Sequence, residues 1–411
     1  MEYMGKPTKQ EITPELVEDL LASAAIEIPE GGVFEKLKSA EREGRRLTVK
    51  MGFDPTSPDL HLGHAVGMRQ LKRFQDLGHA PVIIIGDFTG LIGDPSGRNK
   101  SRPLVNQEGL ERNSQTYIDQ LSKVIDTSDI EVHRNSEWLA GMTLQDAIKL
   151  LAQGTLSQVV TRDDFRKRLE AGTPVGLHEI IYPFLQGMDS VAIKADIEIG
   201  GVDQLYAFQA ARQLQSYGGE EPQASILMPL LRGLDGKKKM SKSLGNYIGL
   251  SDEPREMFGK VMSVPDDLIE EYLKLASGFS RDEIENMLAE MKQGRNPMEL
   301  KIALAHDITK TYHGEEQAED ALRFFDNQFR KRGHAREFTT IDIEDQDNVV
   351  DLLVALGIKS KAEARRLITQ GAVTINGNQI SDINEQLDSA DGLKVKIGKK
   401  RFYETSLKTK K

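Results

Sequence analysis

The sequence predicts an α/β fold built on a parallel sheet, followed by a helix-rich region and a small basic α+β module. Three observations carry that expectation: two apolar, β-branched runs with a helical segment between them, a second copy of that order further on, and a change of texture after residue 250. The first pair of runs is 47–53 (LTVKMGF) and 81–86 (PVIIIG). A continuous run like the second suits a parallel strand covered on both faces. Between them, Val66, Met68, Leu71, Phe74 and Leu77 follow helical spacing and stop before Gly78. A strand, a helix and a strand of this length make a βαβ crossover. The order recurs as ADIEIGG (195–201), a helix near 203–216 and the apolar segment 224–231. The stretch between the two halves, about 98–180, is mostly helical in pattern and reads as an insertion within one domain spanning 1–250.

Residues 251–332 are charged and amphipathic, with Pro254, Pro265 and Pro297 as punctuation, which predicts an all-helical domain. Residues 333–346 read as a linker with one short strand. The last stretch, 347–411, predicts a helix over 349–356 that turns at Gly357, then a basic helix over 361–370 that stops at Gly371. A hairpin follows, VTI-NG-NQI, whose Asn376-Gly377 pair is the strongest short-range hairpin signal. This helix–helix–β order resembles an S4-type RNA-binding domain. The resemblance implies RNA contacts through Lys361, Arg365, Arg366, Lys394, Lys396 and Lys400.

The net charge of −10 argues at first sight against a nucleic-acid partner. Its distribution reverses that. From Asp351 on, 12 Lys and Arg face 7 Asp and Glu, a local balance of +5 that leaves −15 on the first 350 residues. Such a chain can hold an anionic polymer at one end while the rest stays soluble. Cysteine is absent, which excludes disulfides and thiolate metal sites. No run approaches the roughly 18 apolar residues of a membrane span, and residues 1–11 are polar, so a soluble cytoplasmic protein is expected.

Two short motifs about 180 residues apart carry the chemistry: His61-Leu62-Gly63-His64 and Lys239-Met240-Ser241-Lys242-Ser243. Gly63 lets a phosphate approach the backbone where a helix opens, and free amides with the helix dipole favour an anion there. His61 and His64 point to one side and can donate hydrogen bonds to phosphate oxygens. Asp54 and Thr56, in the preceding GFDPTSPDL, mark the end of a strand, a usual ligand position in open α/β sheets. Lys239 and Lys242 flank a small flexible centre that can close over phosphates. A zinc site is the weaker reading of the histidines, since no third histidine or cysteine lies nearby. A third constellation is Tyr182, Gln186 and Asp189, which share one helical face at i, i+4 and i+7 and suggest a pocket wall. Pro183 would start or kink that helix.

In this order the two motifs resemble the signatures of class I aminoacyl-tRNA synthetases. Together with YPFLQGMDS, GGVDQ (200–204) and GLIGDPSG (90–97), nearly the whole chain is similar to bacterial tyrosyl-tRNA synthetases. The resemblance implies a homodimer with a Rossmann-type catalytic domain and subunit contacts through the insertion. It implies MgATP as a substrate, with no tightly bound metal on protein ligands. Asp189 would accept from the substrate phenol, and Asp94, Tyr182 and Gln186 would hold its α-ammonium, with Thr89 nearby. Gly201 and Asp203 would meet the ATP ribose, and Gln204 the reacting end of tyrosine. His61, His64, Lys239, Lys242 and Ser243 would be catalytic, with Arg98 and Arg102 gripping pyrophosphate. The helical region and the S4-like module would bind tRNA.

Two positions depart from the family pattern. Lys50 stands where a tyrosine often contacts the phenol, and Gly67 replaces a threonine common on the helix after HLGH. Strand alternation puts Lys50, Gly52 and Asp54 on one face, so Lys50 is expected to line the pocket and either donate to the phenol or pair with Asp189. The expected activity is tyrosine–tRNA ligation. The rivals are a tryptophanyl enzyme, a small-molecule nucleotidyltransferase of the HxGH kind and a non-catalytic RNA-binding paralogue.

Overall fold

The computed structural model describes residues 11–56, 58–95, 107–330, 338–344, 346–387, 389–398 and 401–407. They fall into two compact units, one ending at Leu322 and the other starting at Arg323. The α/β character read from the sequence is present.

The first unit is centred on a six-stranded sheet. Its strands are β1 (Ile26–Ile28), β2 (Thr48–Phe53), β3 (Ala80–Ile85), β4 (Glu131–Arg134), β5 (Ile197–Gly201) and β6 (Ala224–Met228). The spatial order is β1-β6-β5-β2-β3-β4, parallel except for β1. Every residue of β3 and β6 is buried, as a strand covered on both faces requires. Two strands escaped the sequence reading. β1 is three residues long, and β4 lies inside the stretch expected to be helical; both are edge strands, with Val132 of β4 40% exposed. A short edge strand has no continuous apolar run to announce it.

The helix α1 (Leu62–Asp76) packs over β2, β3 and β5. Within the insertion, α2 (Leu144–Leu151) is capped by Thr143, whose hydroxyl accepts from the Asp146 amide. The helix α3 (Leu177–Ala192) runs through Pro183 without ending and packs along α4 (Leu205–Tyr217). After residue 250 the chain forms helices Pro254–Met262, Ile269–Ala276, Arg281–Lys292 and Pro297–His313, and Ile269–Ala276 lies against α1.

The chain passes from β2 to β3 in one direction and from β5 to β6 in the other, so the order reverses between β2 and β5. Ligands in open parallel sheets bind at such a switch point, beyond the carboxyl ends of the strands. The β2–β5 ladder has two rungs, Val49↔Ile197 and Lys50↔Glu198, after which the strands part. That divergence opens a crevice between Phe53 and Gly201.

The second unit holds β7 (Thr339–Ile343), α5 (Val349–Ala355), α6 (Lys361–Thr369), β8 (Val373–Ile375), β9 (Asn378–Gln379), β10 (Lys394–Ile397) and β11 (Arg401–Leu407). Its sheet order is β7-β11-β10-β8-β9. Asn376 and Gly377 have φ of 49° and 88°, the left-handed pair of a type I′ hairpin turn. β7, which lies in the stretch read as a linker, pairs in parallel with β11. Ala364 and Ile368 of α6 share a core with Val395 and Ile397 of β10. Arg365, Arg366 and Lys394 are exposed, and Lys361 pairs with Asp351. Lys396 is half-buried, and Lys400 lies outside the described residues.

Candidate functional site

A cavity of about 440 Å³ opens at the switch point, lined from the ends of β2, β3, β5 and β6 and from α1 and α3. It brings together both motifs and the Tyr182 constellation. On its walls lie Gly52, Asp54, Thr56, His61, Gly63, His64 and Thr89. Asp94, Tyr182, Gln186, Asp189, Gly201, Asp203, Gln204, Lys239, Lys242 and Ser243, also expected from the sequence, lie there too. Arg98 and Arg102 lie outside the described residues.

The histidines sit at the N-terminus of α1. The His61 backbone N–H donates to His64 Nδ1 at 3.2 Å, so the His64 proton resides on Nε2. The two rings stack with centroids 3.8 Å apart, and a Cβ on Gly63 would crowd the His61 ring at 3.0 Å. Burial, His64 and the lysines Lys242 and Lys239 push His61 down to about 2; burial and the same lysines push His64 down to about 4. Both are therefore neutral near pH 7, hydrogen-bonding groups rather than cations. The positive charge of the site is carried by the lysines. Lys239 Nζ lies 2.7 Å from Asp203 Oδ2, and Lys242 Nζ 3.0 Å from Asp59 Oδ2. Ser241 and Ser243 share a hydroxyl contact of 2.9 Å between them.

The opposite end of the cavity is built from α3 and the ends of β2 and β3. The Tyr182 hydroxyl donates to Asp54 Oδ2 at 2.9 Å, and Thr89 Oγ1 donates to Asp54 Oδ1 at 2.8 Å. Burial, with the charges of Asp54, Asp94 and Asp189, pushes the Tyr182 phenol well above its ordinary value. The same negative potential suits an ammonium. Asp189 accepts from Trp138 Nε1 at 3.0 Å and Asn135 Nδ2 at 3.5 Å. Burial raises its carboxyl to about 7, opposed by Lys50 and by these donors. Gln204 Oε1 accepts from the Gly201 amide at 3.0 Å.

Lys50 is where the structure corrects the sequence reading. Its side chain is fully buried, does not line the cavity, and pairs with Glu198 at 2.8 Å rather than with Asp189. The reason is register: Lys50 and Glu198 are opposite each other on adjacent parallel strands, so their side chains leave the same face side by side. At Gly67, a Cβ would collide with the Met51 side chain, so the space of the missing threonine is already filled from β2.

Several site residues were missed from the sequence. Asn135 and Trp138 fix Asp189 from a short helical turn in the insertion, and Trp138 is the chain's single tryptophan. Asp59, two residues before His61, is the partner of Lys242. Glu198 was hidden inside an apolar strand.

The chain matches the family profile described as tRNA synthetases class I (W and Y) over residues 42–330. It matches the one described as Tyrosine–tRNA ligase SYY-like C-terminal domain over 332–404. A protein named tyrosine–tRNA ligase from Thermotoga maritima is 45% identical over 374 residues, covering 90% of this chain and 93% of that one. One of the same name from Aquifex aeolicus is 43% identical over 394 residues, covering 95% and 99%. The crystal structure of tyrosyl-tRNA synthetase complexed with L-tyrosine from Archaeoglobus fulgidus has the same fold. It gives a TM-score of 0.60 at 21% identity over 75% of this chain and 99% of that one.

Proposed function

The chain belongs to the class I tRNA synthetases of the tyrosine–tRNA ligase kind, and from that premise we propose how its cavity divides the work. Tyrosine binds at the α3 end and MgATP at the lysine end. A tyrosine carboxylate oxygen attacks the α-phosphorus, the bond to the β-phosphate oxygen breaks, and pyrophosphate leaves. The 3′-terminal ribose hydroxyl of tRNA(Tyr) then takes the tyrosyl group and AMP departs. The observation that carries this reading is the convergence of HLGH, KMSKS and the Tyr182–Asp189 face on one cavity.

Phosphoryl transfer of this kind is mostly positioning and stabilisation of spreading negative charge. His64 Nε2–H and His61 donate to phosphate oxygens without carrying charge. Lys239 and Lys242 supply the charge, and each exchanges its carboxylate partner for phosphate as the triphosphate arrives. Ser243 donates beside them. Thr56, Gly63, Gly201 and Asp203 line the path of the ribose and phosphates, with Arg98 and Arg102 assigned to pyrophosphate by family resemblance. Asp189, acceptor-only when ionised, has lone pairs left after Trp138 and Asn135 and takes the phenol proton donor. Asp94, Tyr182 and Gln186 hold the ammonium, Gly52 and Thr89 border them, and Gln204 faces the carboxylate.

The remaining roles concern partners. The basic faces of α6 and β10, with the helical region 251–332, are assigned to tRNA. A homodimer through the insertion is supported by Leu144, Ile148 and Leu151, an exposed i, i+4, i+7 stripe on α2, and by exposed Leu156, Leu169 and Leu177. No helix among the described residues is long and apolar enough to cross a membrane, and a cytoplasmic enzyme fits. Pyrophosphate exchange with each of the twenty amino acids tests the assignment. Exchange dependent on tyrosine and magnesium is expected; exchange with tryptophan instead, or with no amino acid, would overturn it.

A further inference from the structure

We propose that the buried Lys50–Glu198 pair is a positioning device that turns the Gln186 amide oxygen into the cavity and sets the depth of the α3 turn that carries Asp189. The inference rests on the assignment of Gln186 to the substrate ammonium made above. The pair occupies the last rung of the β2–β5 ladder, at the floor of the crevice where the strands part. Lys50 is 0% exposed and Glu198 1%. Two charges held that deep gain little stability over apolar residues of the same volume, so their arrangement calls for a task.

The contacts define that task. Lys50 Nζ donates to Ser190 Oγ at 2.8 Å and to the Gln186 backbone carbonyl at 3.4 Å, the two ends of the turn that presents Asp189. Glu198 receives Gln186 Nε2 at 3.4 Å, the Ser190 hydroxyl at 3.2 Å, and the Gln223 amide. A carboxylate paired to an ammonium only accepts, so it selects one of the two orientations of the Gln186 amide. The NH₂ faces Glu198 and the oxygen faces the other way. Gln186 Oε1 is buried with no hydrogen-bond partner, and Gln186 lines the cavity. A buried acceptor left unpaired in this way is completed by a donor from the ligand, and the α-ammonium is that donor. The Lys50–Glu198 pair thus acts through Gln186 and touches no substrate atom.

The test uses two competitors of tyrosine-dependent exchange in the full-length protein. Tyramine keeps phenol and ammonium; 3-(4-hydroxyphenyl)propionate keeps phenol and carboxylate but has no ammonium. In Glu198→Gln the flanking amide no longer enforces one orientation, and tyramine inhibition should weaken by about 10-fold or more, as for a lost hydrogen bond to a charged group, with the propionate changed less than about 3-fold. Equal weakening of both would mean a loosened pocket and overturn the proposal. The double variant Lys50→Met/Glu198→Gln leaves no lone buried charge and is the safer fold. It should show the same selective loss, and wild-type discrimination in that variant would also overturn the proposal. If the unaltered protein gave no tyrosine-dependent exchange, the proposed function would fail instead.

Discussion

The two ends of the cavity are built on opposite principles. At the end proposed for tyrosine most polar groups are buried and bonded to one another, Asp189 to Trp138 and Asn135, Tyr182 and Thr89 to Asp54, with Lys50 and Glu198 paired behind the wall. At the end proposed for the phosphates the lysines are partly open, with Lys239 37% and Lys242 19% exposed, and each rests on a carboxylate that an arriving phosphate would displace. Recognition of a hydroxyl demands donors and acceptors fixed before the ligand arrives, because a wrong ligand is rejected by the buried group it leaves unpaired. Stabilising charge that appears only in the transition state demands cations that can change partner. Rigidity selects, and exchangeable charge accelerates.

Breaking each end separately should give different signatures. The largest effect is expected from Lys242→Ala, which should slow adenylate formation by about 100- to 1,000-fold, the scale for losing one stabilising donor at developing charge. Rapid-quench measurement should show it with tyrosine affinity nearly intact; a normal first step would refute the assignment. Next, Asp189→Ala should lower kcat/KM for tyrosine by about 10- to 100-fold and erode discrimination against phenylalanine. Equal losses toward ATP would count against its place at the rigid end.

The pH dependence of stability sharpens the contrast. Asp189 is raised to about 7 by burial, so the folded chain holds a proton that the unfolded chain has already released. Stability from this group is therefore full at low pH and falls as pH climbs from about 4 to about 7. Asp189→Asn cannot ionise and should gain relative to wild type between pH 5 and pH 8, by on the order of 1–4 kcal/mol. Denaturant melts at the two pH values check it, and an unchanged difference would mean the carboxyl does not titrate in that window. The smallest effect is expected from Asp59→Asn, which frees Lys242 from a half-exposed partner. ATP KM should fall by about 2- to 5-fold, the worth of an exposed ion pair; a rise would show that Asp59 aids the nucleotide directly.

Much of the cavity lining was legible in the sequence because it is written locally. HLGH opens a helix after a strand, KMSKS is contiguous, and Tyr182, Gln186 and Asp189 share one face of one helix. Pro183 did not break that helix, since packing of α3 along α4 outweighs the loss of one backbone donor. What stayed illegible involves pairs remote in the chain. Trp138 and Asn135 reach Asp189 across more than 50 positions, and nothing in their own neighbourhood marks them. The charge of the histidines was equally hidden, since it depends on burial beside two lysines from another loop.

By itself the sequence determined the long central elements, the βαβ order, the Asn376-Gly377 turn and the two motifs that line the cavity, because periodicity and turn chemistry act over a few residues. The tertiary structure alone decided where Lys50 points. Strand alternation gives a face, but only the β2–β5 register places a carboxylate opposite it, and the nearer opposite charge in a dry interior takes the ammonium.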